Sequence, residues 1–238
     1  MRRWGVALLA SEDMVLDFTI LTLSHFKALG IGAVMTLFVS GVSIALGMVC
    51  GLGLAFMLLA KNVWVRRTAA LHRSFWRGTP ILVQLLIVFY LLPVIGLDVP
   101  SVVAAIIALT MNSAAFQAEI YRAGLTAVPN GQIEAARMLG LGPLAIRTQI
   151  LVPQMFRLVI PALVNETISI LKNSSLVSVI AVTELMRVSQ QIAAVTFRPM
   201  EIYLVVGVIY VVMNLFLSQL GTRAEARLSR STGGSRVV

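Results

Sequence analysis

Lys172 is the residue with the most chemical meaning in this sequence. It is the one cation in the apolar run from about Leu158 to Thr183, where the only other ionisable residue is Glu166. A charge at the centre of a bilayer helix costs about 2.5–3.5 kcal/mol, so such a lysine must face a partner or a wet cavity. Asn165, Ser169 and Lys172 recur at i, i+4 and i+7, which puts them on one helical face, with Glu166 and Asn173 beside it. This stripe suits the wall of a path for a polar solute, with Lys172 placed to attract a carboxylate. A structural lysine satisfied by Glu119, Glu166 or helix carbonyls fits the same residues, as does a hinge loosened by Asn173-Ser174-Ser175. Asn112 and Glu119 lie seven apart and share a face of another apolar run. Gln84 follows Thr79-Pro80, which reads as a helix start with Thr as cap and Pro in the first position. Gln84 and Asn112 suit either the same path or hydrogen bonds between helices.

Catalytic sets are missing. The two histidines, His25 and His72, have no partner at metal-ligand spacing, and the single Cys50 excludes both an internal disulfide and a cysteine metal site. There is no Gly-x-Ser-x-Gly elbow. The three lysines are followed by Ala28, Asn62 and Asn173, so none closes a phosphate loop. The expectation is a chain that is not an enzyme, with no catalytic residue, no metal and no cofactor of its own.

The elements that must position the stripe follow from composition. Of 238 residues 58% are hydrophobic and 12% charged, against about 25% charged in an ordinary soluble domain. With a mean hydropathy of +0.92, this is an all-α membrane protein. The charges leave five apolar gaps near or above the ~20 residues that cross a bilayer, at about 31–59, 79–97, 100–119, 158–184 and 202–221. Gly47 and Gly51 form a small-xxx-small pair in the first, and Gly207, Tyr210, Asn214 and Ser218 a stripe in the fifth that suits packing between subunits. The net charge of +9 would fit nucleic acid in a soluble chain. Here it gathers at one side: Lys61 to Arg77, Arg122 to Arg157 and the tail from Arg223 hold thirteen of the 19 basic residues. That asymmetry puts the N-terminus outside and the C-terminus in the cytoplasm, with membrane lipid as a partner and no nucleic acid. Residues 1–30 read as an outer interfacial segment, with Arg2 and Arg3 before the short run Trp4 to Ala10, residues 31–222 as the membrane domain, and 223–238 as a frayed basic tail. No internal repeat is visible, which argues against the duplicated halves of many secondary transporters.

The longest cytoplasmic connection, 120–157, is too long for a turn. Pro129 suits an early helical position and Glu134 the positive end of a helix dipole. Gly140 and Gly142-Pro143 end that helix and start another, and Pro153 marks a bend into the fourth span. A Gly-punctuated helix pair of this kind is shaped to dock a partner.

Glu134-Ala135-Ala136, then three residues to Gly140 and nine more to Ile150 and Pro153, resembles the E-A-A motif of permease subunits of bacterial ATP-binding-cassette importers. Val152 stands where that pattern has Leu. Phe75-Trp76-Arg77-Gly78-Thr79-Pro80 with Gln84, Asn112-Ser113-Ala114-Ala115-Phe116 with Glu119 and Arg122-Ala123-Gly124, and Leu171-Lys172-Asn173-Ser174-Ser175-Leu176 are similar to the polar-amino-acid branch, so the resemblance spans roughly residues 30–225. It implies a type I, MetI-like fold of five transmembrane helices with cytoplasmic coupling helices. It also implies an inner-membrane location, a cytoplasmic ATPase dimer that binds the ATP, a second permease subunit (identical or homologous) and a solute-binding protein. Glu134, Ala135, Ala136, Gly140, Gly142 and Pro153 would couple to the ATPase. Gln84, Asn112, Glu119, Asn165, Glu166, Ser169, Lys172 and Asn173 are the candidates for the substrate path. The alternative is an ion-coupled secondary transporter or channel, which could use Lys172 and Glu119 as well.

Overall fold

The computed structural model describes residues 18–230. The expectations for Arg2, Arg3, the run Trp4 to Ala10 and the tail beyond Arg230 lie outside the described residues. A single turn, Phe18–Ile20, precedes α1 (Leu23–Leu58), which starts eight residues earlier than the charge gap suggested. Thr22 and His25 close its first turn as a capping box, which gives His25 a structural role. In hydrocarbon every backbone N–H and C=O must be satisfied within the chain, so an unbroken helix is the available solution. The 36 residues of α1 span about 54 Å at 1.5 Å per residue, more than a bilayer core requires.

The second element departs from expectation. Residues 61–77 are not a loop but mostly helix α2 (Val63–Gly78), and α3 (Ile81–Val94) follows at an angle of 113°. At 14 residues α3 alone is too short to cross about 30 Å; α2 and α3 together have the length and composition of a broken span or a re-entrant pair. Pro80 causes the break, because its ring forces Thr79 into extended backbone (φ −114°, ψ 149°) and it brings no N–H to continue a helix. Thr79 is therefore the C-cap of α2 and not the N-cap of α3, a place Pro80 takes, and its hydroxyl donates to the Phe75 carbonyl at 2.8 Å. Four helices are long and apolar enough to cross a membrane, and the bent pair makes a fifth only when it is counted as one span.

Helix α4 (Ser101–Ala127) runs through the middle of the bundle, buried on most sides by alanines such as Ala105, Ala108, Ala115 and Ala118. Small residues suit this place, since helices in lipid associate through close packing rather than hydrophobic drive. Gly47 and Gly51 let α1 reach it: a Cβ on Gly47 would stand 2.8 Å from Ser113 Oγ, and one on Gly51 3.0 Å from the Ala114 carbonyl oxygen.

After α4 come α5 (Asn130–Met138), the turn α6 (Pro143–Ala145), a π-helical stretch Ile146–Leu151 and α7 (Val152–Asn173). Gly140 has φ +77°, the left-handed conformation that a helix end favours, and Pro143 begins the next helix behind Gly142. Pro153 sits in the first turn of α7, directly after the π-helical stretch, and the helical backbone runs on through it. The wider π turns before it absorb the hydrogen bond that proline cannot make. At Ser174 α7 tightens into a 3-10 helix, Ser174–Ile180, so the fourth span ends by Ile180 rather than at 184.

Two further differences concern the last third. Helix α8 (Leu185–Thr196), which the charge pattern did not reveal, lies between the fourth and fifth spans. Helix α9 (Pro199–Arg230) continues through Arg223 and Arg227, so the basic tail is helical at least to Arg230. Glu184 caps α8, accepting from the Met186 and Arg187 amides at 2.9 and 2.8 Å and from the Thr36 and Tyr210 hydroxyls at 3.2 Å. Burial raises its carboxyl above the ordinary range, although each of these bonds acts in the opposite sense. Tyr210 thus faces its own bundle, not a neighbouring subunit as its stripe suggested.

Candidate functional site

The α7 stripe lies on the open side of the molecule. Met155, Val159, Leu163, Ile170 and Leu171 are buried against α4, α9 and the rest of the bundle, while Asn165 and Lys172 are exposed and Glu166, Ser169 and Asn173 half-buried. Among the described residues Lys172 makes no ion pair, and Glu119 is not available to it. Both Glu119 oxygens are taken, one by Arg73 Nη1 at 2.7 Å and the other by Arg122 through Nη2 at 2.7 Å and Nε at 3.0 Å. The structural reading in which Glu119 satisfies Lys172 fails on this geometry. The ammonium instead stands at the surface of the chain beside the α to 3-10 transition, where Ser175 Oγ donates to the Lys172 carbonyl at 2.8 Å.

Glu119 opens onto a cleft of about 530 Å³ bounded also by Arg73, Ser74, Arg77, Gly78 and Phe116. The Arg77 guanidinium lies 5.2 Å from the centre of the Phe116 ring, a cation–π arrangement that leaves its N–H donors free for an anion. Glu119, and Glu166 within electrostatic reach of Arg77, stand against Arg73, Arg77 and Arg122, which leaves this wall positive by one charge. Sequence reasoning placed Arg73 and Arg77 in a loop and so missed them. Their i, i+4 spacing on an amphipathic stretch was the available signal.

Gln84 and Asn112 are brought together, but not onto a path. Both are buried at the break between α2 and α3. Gln84 Nε2 donates to the carbonyls of Trp76 (2.8 Å) and Thr79 (2.9 Å) and to Thr79 Oγ1 (2.8 Å). Asn112 Nδ2 donates to Gln84 Oε1 at 2.8 Å and to the Trp76 carbonyl at 3.1 Å. The bend frees backbone carbonyls within the span, and these two amides satisfy them, as non-helical backbone at membrane depth requires. Their polar groups have no free surface to offer a solute.

The other candidate cluster is the α5–α6 knob. Glu134 and Ala135 are exposed, and Met138, Leu139 and Leu144 project apolar side chains from the same segment. Glu134 forms no ion pair with Arg137 among the described residues. Ala136 is buried within the chain, so it serves packing and is not open to a partner. Gln154 Nε2 donates to Gln132 Oε1, tying α5 to the start of α7. Gly140 and Gly142 have open space around them, and for Gly140 it is the positive φ that requires glycine.

Residues 43–230 match the family described as the inner membrane component of binding-protein-dependent transport systems. The chain is 36% identical over 219 residues to the arginine transport system permease protein ArtQ of Bacillus subtilis, covering 90% of this chain and 98% of that one. It is 34% identical over 209 residues to the octopine transport system permease protein OccM of Rhizobium radiobacter, covering 84% and 85%. Among solved structures it resembles a chain of an amino acid ABC transporter crystallised with histidines, at 37% identity and a TM-score of 0.78 over 86% of this chain and 95% of that one. It also superposes on a chain of the MetNI methionine ABC transporter in an inward-facing conformation, with a TM-score of 0.76 at 22% identity, over 87% and 99%. This last likeness concerns the fold alone.

Proposed function

Because the chain belongs to the family of inner membrane components of binding-protein-dependent transport systems, we infer that it is the permease subunit of an ATP-driven importer for a polar amino acid or a similar zwitterion. Relatives named for arginine and octopine support that substrate class. The observation that carries the reading is the exposed stripe of α7 ending on Lys172, in a chain whose other exposed faces are largely apolar. A charge so placed belongs in water rather than lipid. A second permease subunit set against this face would enclose the stripe as the wall of a path. Lys172 would then meet a carboxylate and Glu166 an ammonium, with Asn165, Ser169 and Asn173 between them. The α5–α6 knob would seat in a cytoplasmic ATPase dimer, with Glu134 toward a basic group of that partner, and a separate soluble protein would deliver the solute. The basic end of the bundle then lies in the cytoplasm.

The test is reconstitution in liposomes with the partner ATPase and binding protein. Uptake should require ATP, survive collapse of ion gradients, and be absent with the permease chain alone. Transport by that chain alone, or driven by an ion gradient, would overturn the reading. Glu134→Ala should leave assembly of the bundle intact while reducing coupled ATP hydrolysis and uptake together.

A further inference from the structure

A second cavity, of about 460 Å³, opens at the basic end of the bundle, away from the α7 stripe. Four elements line it. Phe56 and Leu59 come from the end of α1, Leu125 from the last turn of α4, Ile133 from α5, and Arg147 and Leu151 from the π-helical stretch. Both α1 and α4 end here, at Leu58 and Ala127, so the cavity lies at their common end. The lining is mixed: Phe56, Leu125 and Ile133 are apolar, while Thr126, Asn130 and Arg147 give the cavity a polar side. The Arg147 guanidinium lies 5.4 Å from the centre of the Phe56 ring, and the ion pairs among the described residues, Arg73 and Arg122 with Glu119 and Arg198 with Glu201, do not include it. More positive charge stands close by in sequence at Lys61, Arg66 and Arg67, where exposed Trp64 stacks with Arg67 in the manner of an interfacial anchor.

We propose that this cavity binds one membrane phospholipid with an anionic headgroup, its phosphate on Arg147 and the upper part of an acyl chain between Phe56, Leu125 and Ile133. Charge complementarity selects this occupant: a guanidinium outside the ion pairs stands at the rim of a slot with apolar side chains on one side, and Lys61, Arg66 and Arg67 follow α1 in sequence. The volume suits part of one chain, since sites for drug-sized molecules run from about 300 to 1,000 Å³. Because α5 forms one wall, an occupied cavity would brace the knob against the spans, and lipid composition would bear on how the knob moves.

The purified chain, extracted from vesicles of equal phosphatidylglycerol and phosphatidylcholine, can be weighed by native mass spectrometry for the lipid it retains. Phosphatidylglycerol should be retained preferentially. Arg147→Gln should lower that retention about fivefold, the equivalent of about 1 kcal/mol for one basic residue at an anionic surface. Ile133→Trp, which fills the slot and keeps the charge, should lower it too, whereas Arg67→Gln should change it less than Arg147→Gln does. Equal retention of the two lipids, an equal effect of Arg67→Gln, or retention untouched by Ile133→Trp would overturn the proposal. Retention equal for both lipids, with a cysteine at position 133 shielded only when the ATPase subunit is present, would assign the cavity to protein docking.

Discussion

Glu119 and Lys172 carry opposite charges on adjacent helices, yet they do not neutralise one another. Glu119 is held between Arg73 and Arg122, and Lys172 stands exposed at the end of its stripe. Replacing Lys172 with Met should therefore leave folding nearly unchanged and weaken the apparent affinity for the transported solute by about tenfold or more, as expected when a hydrogen bond to a charged group worth about 1.5–3 kcal/mol is lost. Uptake and solute-stimulated ATP hydrolysis measured on the reconstituted complex would report this. Unaltered transport would remove Lys172 from the path. Gln84 and Asn112 behave in the opposite way. Asn112→Leu removes a donor from the Trp76 carbonyl and from Gln84 Oε1, at a cost of about 1–3 kcal/mol for buried groups left unpaired. The melting temperature of the detergent-purified protein should fall, and transport should fall only with the amount of folded protein. The sequence made the polarity of all four residues visible. It did not distinguish an amide that staples a backbone from one that lines a path, because that depends on which carbonyls Pro80 frees 28 residues or more before Asn112.

Among the elements, the bent pair α2–α3 and the helix pair α1–α4 show how far the charge gaps could be read. A gap in ionisable residues marks a stretch that lipid tolerates: α1 and α4 cover their gaps to within a residue and run beyond them at one end, and α9 contains its gap and runs beyond it at both. For α2 the rule misleads. Lys61 to Arg77 reads as a loop, but helix formation depends on backbone bonding rather than hydropathy, and an amphipathic stretch with α4 on one side is as helical as an apolar one. Helix α8 was missed for the same reason. The Gly47 and Gly51 pair was legible as a close-contact motif, and the tertiary structure names the partner as α4. Gly51→Val should drive α1 from α4, because the added carbons meet the Ala114 carbonyl and Gln117 Cβ, both 3.0 Å from the first of them. An overpacking cost of about 1–3 kcal/mol should appear as a lower midpoint in thermal unfolding, whereas Gly53→Val, with open space around it, should be tolerated.

The whole molecule is a bundle with one basic end, one positive cleft and one polar stripe. The proposed orientation puts the basic segments Lys61 to Arg77 and Arg122 to Arg157 in the cytoplasm, and the C-terminus with them. Green fluorescent protein fused after Val238 should therefore fluoresce, and alkaline phosphatase fused at the same point should be inactive. The reverse pattern would invert the bundle and place the α5–α6 knob on the wrong side for an ATPase.

Composition, charge spacing and the E-A-A pattern were enough to determine an all-helical membrane permease and the place of the helix pair α5–α6 in the chain, because insertion energy and glycine or proline geometry act locally. The tertiary structure alone decided which polar residues are available. It buried Ala136, tied Gln84 and Asn112 to the bend, gave Glu119 to two arginines and left Lys172 open. Those outcomes turn on distances of a few ångströms between segments far apart in sequence, and no local pattern encodes them.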